Sequence, residues 1–504
     1  MKELLNSTQM KACDAYTIEE LGVPSLVLME RAALSVVQEI TKDYLPKEIS
    51  AVIFTGTGNN GGDGIAIGRI LAEKGAGVLI VTVGDPEKYS EEMGQQLVIA
   101  KKMGILIKTY DDSLDGEYNV IVDALFGIGL TRTVQGTFQR AIQWINQKKN
   151  TERVSVYAVD IPSGIHTDTG EVLGCAVQAD KTITFQYAKP GLYLGEALEY
   201  AGEVIVTEIG ISALPIKQGI IVPEWFCYEP NDVKKLPPRK LNGHKGTFGR
   251  VLVIAGAKNM AGAAMFSAES AYRMGCGLVE VFTAEENRVI VQSRIPEAVL
   301  TTYDSIEDSM KKLKYSIEKA DVIVLGPGLS MSAQAQAIVE YTIKNATKPC
   351  IVDADAINIL ANHLKWLENI KFPCILTPHV KELARLSHKE TITVKKQLFL
   401  VAKEIAKRYE CIVVAKDAKT IVVEKERTSN YLNLSGCSGM ATGGSGDVLA
   451  GIIAGLLAQN VSNYEGVCLG VYIHGLAGEA AQKELGGYSM TARDIIQNLH
   501  HILR

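Results

Sequence analysis

Two kinds of hydrophobic pattern alternate along the chain. Short, nearly continuous apolar runs such as "AVIFTGTG", "GVLIVTVG", "NVIVDALFGIG", "SVYAVDIPSG", "KTITFQYAKPG" and "EVIVTEIGI" predict strands. Their lack of in-out alternation suits a sheet covered on both faces. Longer periodic stretches, such as Glu91 to Met103, fall between them and predict helices. This is the pattern of a doubly wound, mainly parallel α/β sheet. Between Ile211 and His244 the chain holds five of its fifteen prolines and no sustained helical period, which predicts a connection with short strands. The alternation restarts at "RVLVIAGAKNMAG" and runs through "GLVEVF", "DVIVLGPG", "CIVDADA", "CILTPH" and "CIVVAKDAKTIVVEK". Two α/β domains of unequal size are expected, 1–215 and 241–504, joined by 216–240.

Glycine loops punctuate the strand ends. Gly56, Gly58 and Gly61 satisfy G-x-G-x-x-G after the first strand, with Asp85 beyond the next strand as a candidate ribose contact. Three glycines at a strand end often mark no more than a tight turn. The crowded "NNGGDG" adds Asn59, Asn60 and Asp63, whose oxygens beside exposed amides suit a cation and a phosphate together. "VDALFGIGLTR" and "VDIPSGI" put Asp123, Asp160 and Ser163 at two further strand ends, where parallel sheets bind ligands. Near the other end of the chain, "TGGSGD" opens a purely apolar helix. Its amides and positive helix end suit an anion, with Gly444 and Gly446 allowing close approach and Asp447 as a candidate base. An N-capping aspartate is the plainer alternative. No G-x-x-x-x-G-K-[ST] occurs, so this is not a Walker-type loop. Lys416 and Thr420 stand in a turn between strands, while Gly328 and His379 end two others.

"GTGNNGGDG", "VDALFGIGL" and "VDIPSG" resemble the N-terminal NAD(P)H-hydrate epimerase domain of the bifunctional NAD(P)H-hydrate repair family. "GHKGTFGRVLVIAG", "MAGAAMFSAESAYRMGCGLV" and "TGGSGDVLAG" resemble its C-terminal ADP-dependent dehydratase domain. The likeness covers nearly the whole chain. It implies a Rossmann-like doubly wound sheet followed by a ribokinase-like α/β domain. Epimerase contacts to the hydrated nucleotide fall on Asn59, Asn60, Gly61, Gly62, Asp63, Gly127, Ile128, Gly129, Leu130, Thr131, Arg132, Thr133 and Asp160. Potassium ligands fall on Asn60, Asp123 and Ser163. Asp160 is the expected group that handles a proton or stabilises a cationic ring. In the dehydratase half, Ala263, Gly328, His379 and Asp447 would line the hydrate site. Lys416, Asp417, Ala418, Lys419, Thr420 and Gly446 would contact ADP, and magnesium would accompany it. The family usually has glycine where this chain has Asp417, an acid expected to point away from phosphate.

Composition narrows the alternatives. The 504 residues are 47% hydrophobic and 22% charged, with a net charge of −5, which offers no surface for nucleic acid or acidic membranes. Nine cysteines without CxxC spacing suit a reducing compartment, and no apolar leader or spanning stretch stands out. A soluble cytoplasmic enzyme acting on small molecules is expected, and a homo-oligomer remains compatible. The competing readings are a ribokinase-like vitamin or sugar-alcohol kinase with an N-terminal nucleotide-binding module, an NAD-dependent dehydrogenase, and a non-catalytic sensor. Hydride transfer leaves "NNGGDG" and "VDIPSG" unexplained, and Asp447 behind its glycine loop speaks against a sensor.

Overall fold

The computed structural model describes residues 1–368 and 370–503. The chain forms two compact units, Glu3–Trp225 and Phe226–Arg504, the latter including Met1–Lys2.

The first unit contains seven strands: β1 (Ser50–Thr55), β2 (Gly77–Thr82), β3 (Leu106–Thr109), β4 (Val120–Ala124), β5 (Ser155–Val159), β6 (Lys181–Phe185) and β7 (Glu203–Thr207). Their order is β3-β2-β1-β4-β5-β6-β7, and all neighbours are parallel. In the central strands the side chains alternate between two apolar faces. Val52 and Phe54 pack with Ala141, Ile142 and Ile145 of helix α5 (Gly136–Thr151). Ala51 and Ile53 pack with Val36, Val37 and Ile40 of α2 (Ser25–Asp43) and with Ala66 and Ile67 of α3 (Asn59–Glu73). Burial on both sides therefore explains the unbroken apolar runs. The sheet is the expected doubly wound, Rossmann-like one. Its strand order reverses between β1 and β4, where such sheets open a crevice at the strand carboxyl ends. Two further helices flank it, α1 (Ser7–Ala15) and α4 (Glu91–Lys102).

The second unit carries β8 (Arg250–Ile254), β9 (Leu278–Ala284), β10 (Val299–Tyr303), β11 (Val322–Leu325), β12 (Cys350–Val352), β13 (Cys374–Leu376), β14 (Ile412–Ala415), β15 (Ile421–Glu424) and β16 (Asn430–Leu432). They run in the order β10-β9-β8-β11-β12-β13-β14-β15-β16. Pairing is parallel as far as β14 and antiparallel beyond it. Strands β3, β10 and β16 lie outside the apolar runs of the sequence. The first two are half-exposed edges, and the third has three residues, so none needs a long greasy segment.

The apolar helix after the second glycine loop is α9 (Ser445–Ala458), buried throughout from Val448 to Ala458. It packs against α6 (Ala261–Arg273) and α10 (Asn463–Leu485), so no face of it meets water. Each buried Leu or Ile there contributes roughly 2 kcal/mol. A Cβ on Gly451 would lie 2.1 Å from the Ser267 carbonyl oxygen, so the glycine is what lets α6 approach. Gly451→Ala is expected to cost about 1–3 kcal/mol in urea unfolding of this unit. An unchanged unfolding midpoint would show that the helices have room to part.

Candidate active sites

The first site grows from the crevice between β1 and β4. A Cβ at Gly56 would sit 1.9 Å from the Leu125 carbonyl oxygen, so only glycine allows these two strand ends to close together. Helix α3 starts directly behind, with Asn59 to Asp63 in its first turns. Asp123, at the end of β4, is fully buried. Its carboxylate takes the Ser163 hydroxyl at 2.6 Å and the Ser163 amide at 2.8 Å. Burial pushes it up to about 6, against the pull of those donors. The Ser163 hydroxyl also accepts the Phe126 amide at 2.9 Å. Asn60 rests against Gly127, and its buried amide nitrogen has no partner.

Asp160 follows β5 with φ of +68°, a left-handed backbone that non-glycine residues rarely adopt and that clusters at functional sites. One carboxylate oxygen, Oδ1, receives Lys189 Nζ at 2.5 Å, the Thr184 hydroxyl at 3.0 Å and the Phe185 amide at 3.1 Å. Lys189 is fully buried, and its ammonium also donates to Thr184 Oγ1 and the Phe185 carbonyl. Burial draws it below its ordinary value while Asp160 pushes back. A cavity of about 180 Å³ opens here, lined by Asn59, Asp63, Ile128, Asp160 and Lys189, and by Met10, Lys11, Asp14, Ser25, Met29 and Glu92 among others. Burial first, then Asp160 and Asp14, lifts Asp63 well above the ordinary carboxyl value.

The second site lies at the carboxyl ends of β11 to β14. Gly444 has φ of +93° and caps α9 without a side-chain bond. The Ser445 amide that follows donates to the Thr442 carbonyl at 3.4 Å, while those of Gly446 and Asp447 find no backbone acceptor among the described residues and are donors of the kind that hold anions. Lys416 Nζ reaches Asp353 Oδ1 at 2.7 Å, and Thr377 Oγ1 donates to the same oxygen at 2.7 Å. This ion pair lies over the loop, since a Cβ on Gly446 would stand 3.3 Å from Lys416 Nζ. Burial, with Asp353 adding repulsion and Lys416 opposing, pushes Asp447 up to about 7. Glu382 is likewise lifted to about 7, chiefly by burial. His379 caps α8 (Val380–Ser387), its Nδ1 accepting the Lys381 and Glu382 amides. The buried His474 holds the Ser445 hydroxyl at 3.3 Å.

A family profile described as YjeF-related protein N-terminus matches residues 25–191, and one described as NAD(P)H-hydrate dehydratase matches 251–501. A protein of Thermofilum pendens named bifunctional NAD(P)H-hydrate repair enzyme is 33% identical, across 99% of this chain and 95% of its own. The chain belongs to the bifunctional NAD(P)H-hydrate repair family. A namesake from Coxiella burnetii is 34% identical over 99% of both chains, and one from Escherichia coli 32% over 96% and 90%. A ribokinase-like superfamily protein from Enterococcus faecalis, 29% identical, overlays 56% of this chain and 96% of its own with a TM-score of 0.50. The C-terminal unit of this repair-family chain is accordingly ribokinase-like.

Against that background the expected residues sort by position. In the N-terminal unit, Asn59, Asp63, Ile128 and Asp160 line one cavity. Asn60 and Gly127 touch, as do Asp123 and Ser163. Gly61 and Gly62 are buried in the first turns of α3. Leu130 turns into the core, whereas Gly129, Thr131, Arg132 and Thr133 lie on an exposed loop. Asp85 caps its own turn through the Glu87 amide and is exposed. In the C-terminal unit, Ala263 abuts Gly328, while His379, Lys416, Gly446 and Asp447 gather around Asp353. Lys419 is bound to the Leu434 carbonyl, and Asp417 and Ala418 are exposed. Thr420 lies in the same turn, its carbonyl accepting the Asn433 amide.

Sequence reasoning passed over Lys189, Asp14 and Glu92 in the first site and Asp353, Glu382 and His474 in the second. A lysine set directly before a proline within an apolar run was the one available signal for Lys189.

Lys189→Met removes the partner of a nearly buried carboxylate. It is expected to lower the stability of the N-terminal unit by about 3 kcal/mol in urea unfolding, with much of the loss recovered in Lys189→Met/Asp160→Asn. A single variant as stable as the parent would contradict the pairing.

Proposed function

We infer that this chain repairs hydrated NADH and NADPH in two steps. The N-terminal unit interconverts the R and S epimers, and the C-terminal unit dehydrates the S form with ADP as phosphoryl donor. The observation that carries this reading is Asp447. It is a carboxyl poised near neutrality at the mouth of a helix whose first-turn amides are open to an anion, in a chain similar to repair enzymes from end to end.

Hydroxide is a poor leaving group. In the second site Asp447 takes the proton of the substrate hydroxyl as that oxygen attacks the terminal phosphorus of ADP, and AMP departs. The α9 amides spread the growing charge on phosphate. The ring nitrogen's lone pair then expels phosphate, and loss of a neighbouring C–H proton restores the dihydropyridine ring. Lys416, fixed by Asp353, supplies a positive charge beside the loop. Lys416 to Thr420 with Gly446 form the nucleotide contact in this reading, and Ala263, Gly328, His379 and Asp447 the hydrate contact. Asp417 is exposed and leaves the phosphate path free.

Among the described residues no three His, Cys, Asp or Glu side chains stand together as a metal cage. Magnesium would accompany the nucleotide, with Asp353 and Glu382 the nearby carboxylates, and it would shield phosphate charge. Potassium fits the first site through Asp123, Ser163 and Asn60. The Asn60 amide, turned over about its last torsion, offers an oxygen where its nitrogen now finds no partner. There it would fix the loops that hold the substrate.

In that site Asn59 to Asp63 and Gly127 to Thr133 hold the hydrate, and Asp160 faces the ring. We place the protein in the cytoplasm, which suits its nine free and mostly buried thiols. Among the described residues no helix is long and apolar enough to cross a membrane.

Incubating the chain with both epimers, ADP, magnesium and potassium is expected to restore the near-ultraviolet absorbance of the reduced nicotinamide completely, and omitting ADP to abolish it. Recovery stopping at one epimer would remove the epimerase, and a stable phosphorylated product would return the kinase reading. Because the base must be ionised, the rate of the ADP-dependent step on pure S epimer is expected to fall about tenfold per pH unit below about 7. Glu382 titrates in the same direction, and a rate flat from pH 5 to pH 8 would contradict the assignment. Asp447→Asn is expected to slow the step by about 10²–10⁴-fold.

A further inference from the structure

The cavity of the first unit holds more carboxyl groups than the expected residues account for. Asp14, Asp63, Glu92 and Asp160 all line it, facing Lys11 and Lys189. Asp160 is bound by Lys189, and Glu92 accepts the Ser25 hydroxyl at 2.8 Å. Asp14 and Asp63 accept no hydrogen bond and join no ion pair among the described residues, although both border the cavity. They stand on different helices, Asp14 on α1 and Asp63 on α3, both packed over the same face of the sheet, and both reach the one cavity. Asp14 also lies outside the stretch 25–191 that the N-terminal family profile matches.

Inversion at a carbon bearing both a hydroxyl and a ring nitrogen needs two proton transfers. The hydroxyl must leave as water from one face, and a second water must add to the other. We propose that Asp14 and Asp63 are the proton-transfer pair of this epimerisation, one giving and the other taking, while Asp160 stays bound to Lys189 beside the ring. This deepens the epimerase reading above and rests on it.

The step balances without a co-reactant. The protonated carboxyl gives its proton to the hydroxyl oxygen, the C–O bond breaks with its electron pair on oxygen, and water departs. The nitrogen lone pair forms a C=N bond, and the cationic ring faces the free Oδ2 of Asp160. Water then attacks the opposite face, the C=N electrons return to nitrogen, and the second carboxylate takes the surplus proton. The two carboxyls have exchanged states and are set for the reverse inversion. Their surroundings favour the neutral form of each. Asp63 is raised by burial and by the negative charges of Asp160 and Asp14, and Asp14 by burial, Asp160 and Glu92.

The wild-type chain, without ADP, is incubated with pure S NADPH hydrate in ¹⁸O-water, and epimers and isotope are followed together. One labelled oxygen per inversion is expected. Inversion that retains the original oxygen would mean the C–N bond opens instead, and would overturn the proposal. Asp63→Asn and Asp14→Asn are expected to slow exchange by about 10²-fold or more, with Asp63→Glu restoring part of it. The double variant should be no slower than the worse single one, as for groups acting in one step. ADP-dependent recovery of the S epimer by the other unit serves as the internal control for intact protein. Either single variant exchanging at the wild-type rate would overturn the pairing. A wild-type chain that does not exchange epimers at all would instead refute the epimerase reading itself.

Discussion

Parallel strands all deliver their carboxyl ends to one edge of the sheet, and both sites follow from that constraint. The cost is crowding. Loops that carry polar groups to a shared edge must leave their strands tightly, without filling the space a ligand needs. In the N-terminal unit the constraint is met by Gly56, which lets the ends of β1 and β4 close to within a methyl group's width. It is met again by Asp160, which turns away from β5 through a left-handed backbone that three donors to its side chain hold in place. In the C-terminal unit Gly444 performs the corresponding turn before α9.

The two sites also share an electrostatic device. Each sets one lysine against one carboxylate, the fully buried Lys189 with Asp160 and the partly buried Lys416 with Asp353, and surrounds the pair with further acids. The lysine keeps a charged carboxylate tolerable in low dielectric, and burial first, with that charge adding to it, raises the acidic neighbours. Asp63 in one site and Asp447 with Glu382 in the other are the result. What separates the sites is the setting of the helix end, since α3 and α9 both begin at a glycine without a side-chain cap. At α9 the open amides favour an incoming phosphate, so the proton leaves in the service of phosphoryl transfer. The first cavity is small and acid-lined, and suits passage of a cationic ring.

How much of this was legible in the sequence depended on distance along the chain. The buried strands were, because their apolar runs are local, and so was the glycine turn into an apolar helix, because "TGGSGD" sits within one helical turn of its aspartate. The edge strands were not: Leu106–Thr109 and Val299–Tyr303 are half solvated and need no pattern. Lys189 read as the tail of a strand because its partner stands 29 residues earlier, and Asp353 as part of "CIVDADA" because Lys416 is 63 residues on. Asp14 lies on a helix whose sequence carries no motif, and only the fold brings it to the cavity. Pairings of this kind are tertiary facts, and single-sequence patterns carry no trace of them.

The central claim is that two chemically separate reactions act in series on one substrate. It is tested most directly by mixing two disabled chains, Asp160→Asn and Asp447→Asn, with R NADPH hydrate, ADP, magnesium and potassium. Each chain alone should leave the R epimer unrepaired, and the mixture should return NADPH at a rate set by the two intact units. A mixture as inert as its components would contradict the account, because it would mean that the two sites do not complete each other's work through free substrate.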